Sequence, residues 1–145
     1  MAGGWPMIQA MIDKLLESGT PFRMVGGAGD LANVKDRPTT SPAAFVYVAA
    51  DQSLPNERAT GRVLQRSEIE IGVVIVASNL SATNNAAAAA DIEALKAYVR
   101  AQLIGFQPGG DTEPLEHHAG ELQQAIGGTV WFEDIYRTAT YLQES

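Results

Sequence analysis

The sequence Val63-Leu-Gln-Arg-Ser-Glu-Ile-Glu-Ile-Gly-Val-Val-Ile-Val-Ala-Ser78 carries the most regular pattern in the chain. Apolar and charged side chains alternate in its middle, and its second half is apolar almost throughout. A period of two residues is typical of a β-strand with one buried face. The side chains expected on the buried face are Ile69, Ile71, Val73 and Ile75, and those expected on the opposite face are Arg66, Glu68 and Glu70.

The segments on either side of this strand predict a second strand and a long helix. Residues 43–50 are almost entirely apolar, which favours a strand in a central position. Residues 83–85 provide side-chain oxygens for a helix N-cap, and the helix is expected to end at Gly105. Its apolar stripe consists of Ile92, Leu95, Val99 and Leu103.

The two ends of the chain complete an α+β pattern. The further predicted elements are a helix at residues 6–18, a strand at 22–25, a helical turn at 28–34, and strands at 115–126 and 129–142. Gly127-Gly128 predicts a hairpin turn between the last two strands. We therefore expect one domain over residues 1–145, with a mostly antiparallel mixed sheet, two main helices packed on one face, and a long loop projecting from the sheet.

The composition excludes several kinds of site. The chain has 145 residues and no cysteine, which removes thiol catalysis, cysteine metal sites and disulfides. Ten Lys and Arg against seventeen Asp and Glu give a net charge of -7, which disfavours binding to a phosphate backbone. An acidic protein can still lie beside DNA without holding it. The N-terminal residues lack a secretory pattern, so we expect a soluble protein made in the cytoplasm, with no membrane partner.

Two clusters superficially resemble functional motifs. His117-His118 lies among glutamates, but adjacent strand residues point to opposite faces, and neither HxxxH nor HExxH spacing is present. We interpret both histidines as solvated surface. Residues 26–30, Gly-Gly-Ala-Gly-Asp, lack GxGxxG spacing and are interpreted as a turn. We therefore expect no catalytic residue, no metal and no cofactor.

Residues 51–62 form a long polar connection between two strands. Pro55 and Gly61 interrupt regular structure, and no apolar period anchors the segment to a core. Its charges fit either a solvated face or a surface that pairs head-to-tail around a ring. We weigh the two interpretations evenly, since a loop of this length without an apolar anchor is more often functional or disordered than idle. The candidate interface residues are Leu54, Pro55, Asn56, Glu57, Arg58, Arg62, Arg66, Glu68 and Glu70.

The C-terminal strand is apolar on both faces. Alternation places Trp131, Ile135, Ala139 and Tyr141 on one side and Phe132, Tyr136 and Leu142 on the other. Such a strand is either central in its own sheet or covered by another subunit. We favour the core interpretation.

The order of these segments resembles the tail terminators of long-tailed phages, similar to the minor tail protein U group. The segments that carry the resemblance are residues 7–16, 22–32, 43–48, 63–77, 91–103 and 126–137. The resemblance implies a non-enzymatic protomer that forms a hexameric ring on the tail tube, stops polymerisation of the tube protein and later meets the head connector. DNA would pass through the channel without specific binding. The protein would reside in the virion tail or neck after assembly in the bacterial cytoplasm.

Three alternatives remain open on the sequence. A neck or head-completion protein would share the ring but lack the contact with the tube. A small hydrolase would use His117 or His118 with a nearby carboxylate. A ligand-binding α+β module would persist as a monomer.

Overall fold

The computed structural model describes residues 5–34, 40–78 and 86–144, which form helices packed on a five-stranded sheet. The helices are α1 (Trp5–Leu15), α2 (Ala28–Ala32) and α3 (Ala86–Leu103). The strands are β1 (Met24–Gly26), β2 (Ala43–Ser53), β3 (Leu64–Ser78), β4 (Glu116–Ile126) and β5 (Thr129–Gln143). The α+β class expected from the sequence is confirmed.

The sheet has the strand order β1-β2-β3-β5-β4. β1 runs parallel to β2, and the other neighbouring strands are antiparallel. β3 is central and pairs with β5 along its whole length, from Leu64 opposite Gln143 to Ser78 opposite Thr129. β4 is an edge strand, and almost all of its side chains are exposed. The expectation of a mostly antiparallel mixed sheet is confirmed.

One face of the sheet carries the main core. The helix stripe and the strand positions predicted from the sequence meet there, as Val99 and Leu103 of α3 are buried in the same cluster as Ile71 and Ile75 of β3. α1 adds Met11 and other apolar side chains to this cluster. The two main helices therefore pack on one face, as predicted, because each presents a single apolar stripe.

The opposite face, called the outer face below, is only partly covered. Phe45, Val76 and Trp131 form a second buried cluster on it. Leu31 of α2 and Val34, which follows this helix, pack against that cluster. The short α2 therefore lies on the face opposite the two main helices. The far end of the outer face, towards the loop between β2 and β3, presents charged side chains.

Two element bounds differ most from the sequence prediction. α1 ends at Leu15 and not at residue 18, because the Thr20 hydroxyl donates to the Leu15 carbonyl at 2.6 Å and Gly19 adopts a φ of 90°. Residues 51–53, expected in the projecting loop, are part of β2, where Ser53 pairs with Ser67. The predicted N-cap at residues 83–85 lies outside the described residues.

No helix within residues 5–34, 40–78 and 86–144 is both long enough and apolar enough to cross a membrane.

Candidate interaction surface

The loop between β2 and β3, residues 54–63, is exposed along its whole length. The Asn56 side-chain oxygen accepts hydrogen bonds from the backbone N–H of Arg58 at 3.1 Å and of Leu64 at 2.9 Å. The Glu57 N–H donates to the Leu64 carbonyl, also at 2.9 Å. The Asn56 side-chain oxygen thus accepts hydrogen bonds that a backbone carbonyl oxygen of a paired strand would otherwise accept. Polar bonds therefore shape this loop, where the sequence predicted a segment without an anchor.

Two arginines in this loop stand out in an acidic chain. Among the described Lys and Arg side chains, only Arg23, Arg58 and Arg62 lack a carboxylate within ion-pair distance. Arg58 contacts only backbone, with its Nη1 at 3.4 Å from the Arg62 carbonyl oxygen. Two positive charges at the end of the sheet are therefore available to another molecule.

The charged residues of β3 are instead paired within the protomer. Arg66 donates both terminal nitrogens to the Glu113 carboxylate, and its Nε lies 3.4 Å from Glu68. The hydrogen bond from Arg66 lowers the pKa of Glu113. Glu70 accepts two hydrogen bonds from Arg137, at 3.1 and 2.9 Å. Among the charged candidate interface residues, those in the loop are therefore the ones without an ion-pair partner in the described structure.

A pocket of about 310 Å³ opens on the outer face beside α2. Its lining residues are Leu31, Tyr47, Val74, Gln123, Gln124, Trp131 and Glu133. Tyr47 donates its hydroxyl proton to Glu133. Burial and this hydrogen bond raise the pKa of Tyr47 to about 12, so Tyr47 remains a donor at neutral pH.

Gly72 of β3 makes room for Tyr47 across the strand pair. Tyr47 and Gly72 are directly paired, and a Cβ at position 72 would lie 2.6 Å from the tyrosine ring. A side chain there would push the ring away from Glu133. The tyrosine therefore lies over the glycine, and this places its hydroxyl at the pocket wall.

Trp131 occupies the same pocket and is 9% exposed. Its indole N–H is buried and has no hydrogen-bond acceptor among the described residues. Buried donors are usually paired, because an unsatisfied one retains the cost of losing water. The core interpretation of Trp131 from the sequence is confirmed, with this one polar atom unsatisfied.

Asp134 is the centre of a buried polar network on the helical face. The residue is 0% exposed and accepts two hydrogen bonds from Arg100, at 3.0 and 2.8 Å. The Tyr136 hydroxyl donates at 3.0 Å, and the Nε2 of His117 lies at 3.1 Å. Burial alone would raise the pKa of Asp134, but the bonds from Arg100, His117 and Tyr136 outweigh it and lower the pKa.

His117 is therefore not the solvated residue expected from the sequence. It is half-buried, it contacts Asp134, and its ring packs edge-on against Tyr136 at 5.3 Å. His118 is exposed, as expected. A β-bulge between His117 and Ala119 separates the two histidines, so that His117 alone turns towards Asp134.

The Asp134 network connects three elements of the fold. In the described part of the chain no hydroxyl bonds to the second ring nitrogen of His117. No group of three or more metal-binding side chains occurs among the residues that the structure describes. The contacts of Asp134 join α3, β4 and β5 to one another.

Similarity to known proteins identifies the family. The family described as phage tail terminator protein matches residues 5–144. The chain belongs to the phage tail terminator family. As a tail terminator it has a structural role in the phage tail. No curated protein is significantly similar to the chain.

One solved structure similar to this tail terminator is a chain of the virion of a native gene transfer agent particle. The TM-score is 0.49 at 13% sequence identity, and the match covers 81% of this chain and 78% of that one.

Sequence reasoning missed two features of the site. Asp134 shares one face of its strand with Phe132 and Tyr136, and a carboxylate buried between aromatic side chains needs hydrogen-bond donors or a cation. Arg100, on the predicted helix, was a candidate partner. Gly72, a glycine within an otherwise apolar strand, indicated a close approach by a neighbour.

Proposed function

We propose that this tail terminator forms a ring, expected to be hexameric, that caps the tail tube and ends its polymerisation. The same ring presents the surface that the head connector meets. The observation that carries the proposal is the shaped loop, in which Arg58 and Arg62 have no carboxylate partner among the described residues, in a chain that belongs to the tail terminator family. Exposed charge held in a fixed shape serves recognition of a partner.

A role without catalysis follows from how the titrating groups are used. The Asp134 carboxylate is saturated by donors from its own protomer, so it has little capacity left to move a proton for a substrate. A network satisfied in this way rigidifies the protein. We therefore propose that the chain works by shape and contact, as one domain, and needs no cofactor.

The charge of the chain suits a channel for DNA. With a net charge of -7, the protein attracts a phosphate backbone weakly, so DNA passes through the ring without specific binding. The interface residues we propose for the tube or for the adjacent protomer are Leu54, Pro55, Asn56, Glu57, Arg58, Arg62, Arg66, Glu68 and Glu70. Assembly takes place in the bacterial cytoplasm, and the assembled ring remains in the virion.

Electron microscopy of particles made without this protein tests the proposal. We expect overlong tails without heads, and a return to uniform length when the wild-type protein is supplied in trans. Tails of normal length in its absence would refute the termination role. Co-purification separates the neck alternative, since a terminator accompanies tail tubes, whereas a head-completion protein accompanies filled heads.

A further inference from the structure

The outer-face pocket has the properties of a receptor for an apolar and positively charged segment. Leu31, Val74 and Trp131 contribute apolar surface to this pocket, and Tyr47 and Glu133 contribute a hydroxyl and a carboxylate. Pockets that combine apolar walls with a few directed polar groups are typical of binding sites.

The rim of this pocket carries an unbalanced negative charge. Glu133 of β5 is directly opposite Glu121 of β4, and like charges in that position destabilise a strand pair. Neither carboxylate has a cation within ion-pair distance among the described residues. Glu133 accepts hydrogen bonds only from uncharged groups, Tyr47 and Gln123. The pocket therefore favours a ligand that brings positive charge.

The loop of residues 54–63 has the complementary features. Leu54 is 36% exposed and is followed by the exposed Pro55, so an apolar group projects from the end of the sheet. Arg58 and Arg62 follow in the same loop and have no carboxylate partner in the described structure. Since Asn56 fixes the loop, little conformational entropy is lost when it binds.

A protomer cannot place this loop in its own pocket. Leu54 of the loop and Tyr47, the pocket residue nearest to it along the chain, are separated by seven residues of extended chain. Seven residues of β-strand span about 23 Å. The loop and the pocket can therefore meet only between two copies of the chain.

We propose that the loop of each copy inserts Leu54 and Pro55 into the outer-face pocket of the next copy, with Arg58 and Arg62 against Glu121 and Glu133. The inference rests on the ring of the proposed function, and it names the contact that closes the ring. A contact between two different surfaces of one chain is heterologous, and repeated by rotation it generates a closed ring.

Cysteine cross-linking tests the contact directly, because the chain has no cysteine of its own. One copy carries Leu54→Cys and the other Gln124→Cys, a residue of the pocket wall. We expect mild oxidation of the mixed proteins, purified and in assembled tails, to yield a covalent dimer on a denaturing gel. The matched control pairs Leu54→Cys with Ala97→Cys, an exposed position on α3, and should not cross-link.

A single chain with both Leu54→Cys and Gln124→Cys extends this test. We expect a ladder of covalent oligomers that ends in a closed species. Variants that still terminate tails but cross-link no more than the control pair would overturn the inference. Cross-linking is read on a gel and tail length by microscopy, so this inference and the proposed function fail separately.

Charge reversal adds a second test of the same contact. Arg58→Glu with Arg62→Glu on the Leu54→Cys copy should reduce the cross-linking yield about tenfold, because like charges then meet at the pocket. Glu121→Lys with Glu133→Lys on the Gln124→Cys copy should restore it. A cross-linking yield that neither pair of substitutions changes would contradict the assigned pairing.

Discussion

Arg100 of α3 and Asp134 of β5 form a bidentate ion pair, with Nε and Nη2 of the arginine at 3.0 and 2.8 Å from the two carboxylate oxygens. The geometry matches the planar fork of a guanidinium to a carboxylate. Asp134 is fully buried, and its other partners are Tyr136 and His117. The pair therefore fixes the long helix to the sheet at one position.

Removal of the Asp134 carboxylate should destabilise the fold strongly. Asp134→Ala leaves Arg100 and the buried Tyr136 hydroxyl without their acceptor, and a buried donor left unsatisfied costs about 1 to 3 kcal/mol in the free energy of unfolding. Urea unfolding measures this change. Asp51→Ala, at an exposed position of β2, is the control and should change stability little. Equal effects of the two substitutions would contradict the stabilising role that we assign to Asp134.

The same carboxylate should make stability depend on pH in the acid range. The pKa of Asp134 is lower in the folded protein than in the unfolded chain, so the unfolded chain binds the proton first as pH falls. Its contribution is fully present above the unfolded pKa of about 4 and is lost below that pH. We expect urea unfolding between pH 7 and pH 3 to show a smaller loss of stability for Asp134→Asn than for the wild type. Parallel curves would show that Asp134 does not contribute.

The Gly72 position should tolerate no side chain. Gly72→Ala places a Cβ against the Tyr47 ring, and overpacking of this kind costs about 1 to 3 kcal/mol. Thermal unfolding should show the loss, and the displaced Tyr47 should no longer bond to Glu133. Gly29→Ala is the control, because nothing lies within 4 Å of its Cβ and alanine favours a helix. If both variants unfold like the wild type, the close approach at Gly72 has no energetic role.

The elements that could be predicted from the sequence are those whose periodic pattern extends over many residues. β3 alternates over many residues, and the stripe of α3 repeats every three or four, so Ile71 and Val99 could be assigned to the core from spacing alone. The hairpin at Gly127-Gly128 follows from turn chemistry, and both glycines have positive φ.

Contacts between distant residues could not be predicted in this way. The bonds of Asp134 to Arg100 and His117 depend on strand register and on a β-bulge in β4, and neither leaves a periodic signal. The order of the loop likewise depends on contacts between its two ends, among them the hydrogen bond from the Leu64 N–H to the Asn56 side chain. Polarity alone predicts exposure there but no fixed shape.

The histidines offer a test of the catalytic alternative. His117→Ala should lower stability by about 1 kcal/mol, because one hydrogen bond to Asp134 is lost. His118→Ala should have little effect, since His118 is exposed. With both residues replaced, we expect tails of normal length and particles that remain infectious at permissive temperature. Loss of function in a doubly substituted protein that still folds would support a catalytic role instead.

Reversal of charge in the loop should uncouple folding from tail termination. Arg58→Glu with Arg62→Glu changes two exposed side chains that make no ion pair with any residue the structure describes, so circular dichroism and thermal unfolding should match the wild type. Tails assembled with this variant should have uncontrolled length, because the positive charge needed at the contact is reversed. Arg23→Glu is the control, as Arg23 is also exposed and has no carboxylate partner in the described parts of the chain, but lies outside the loop. Tails of normal length with the loop variant would show that these arginines do not make the contact we assign to them.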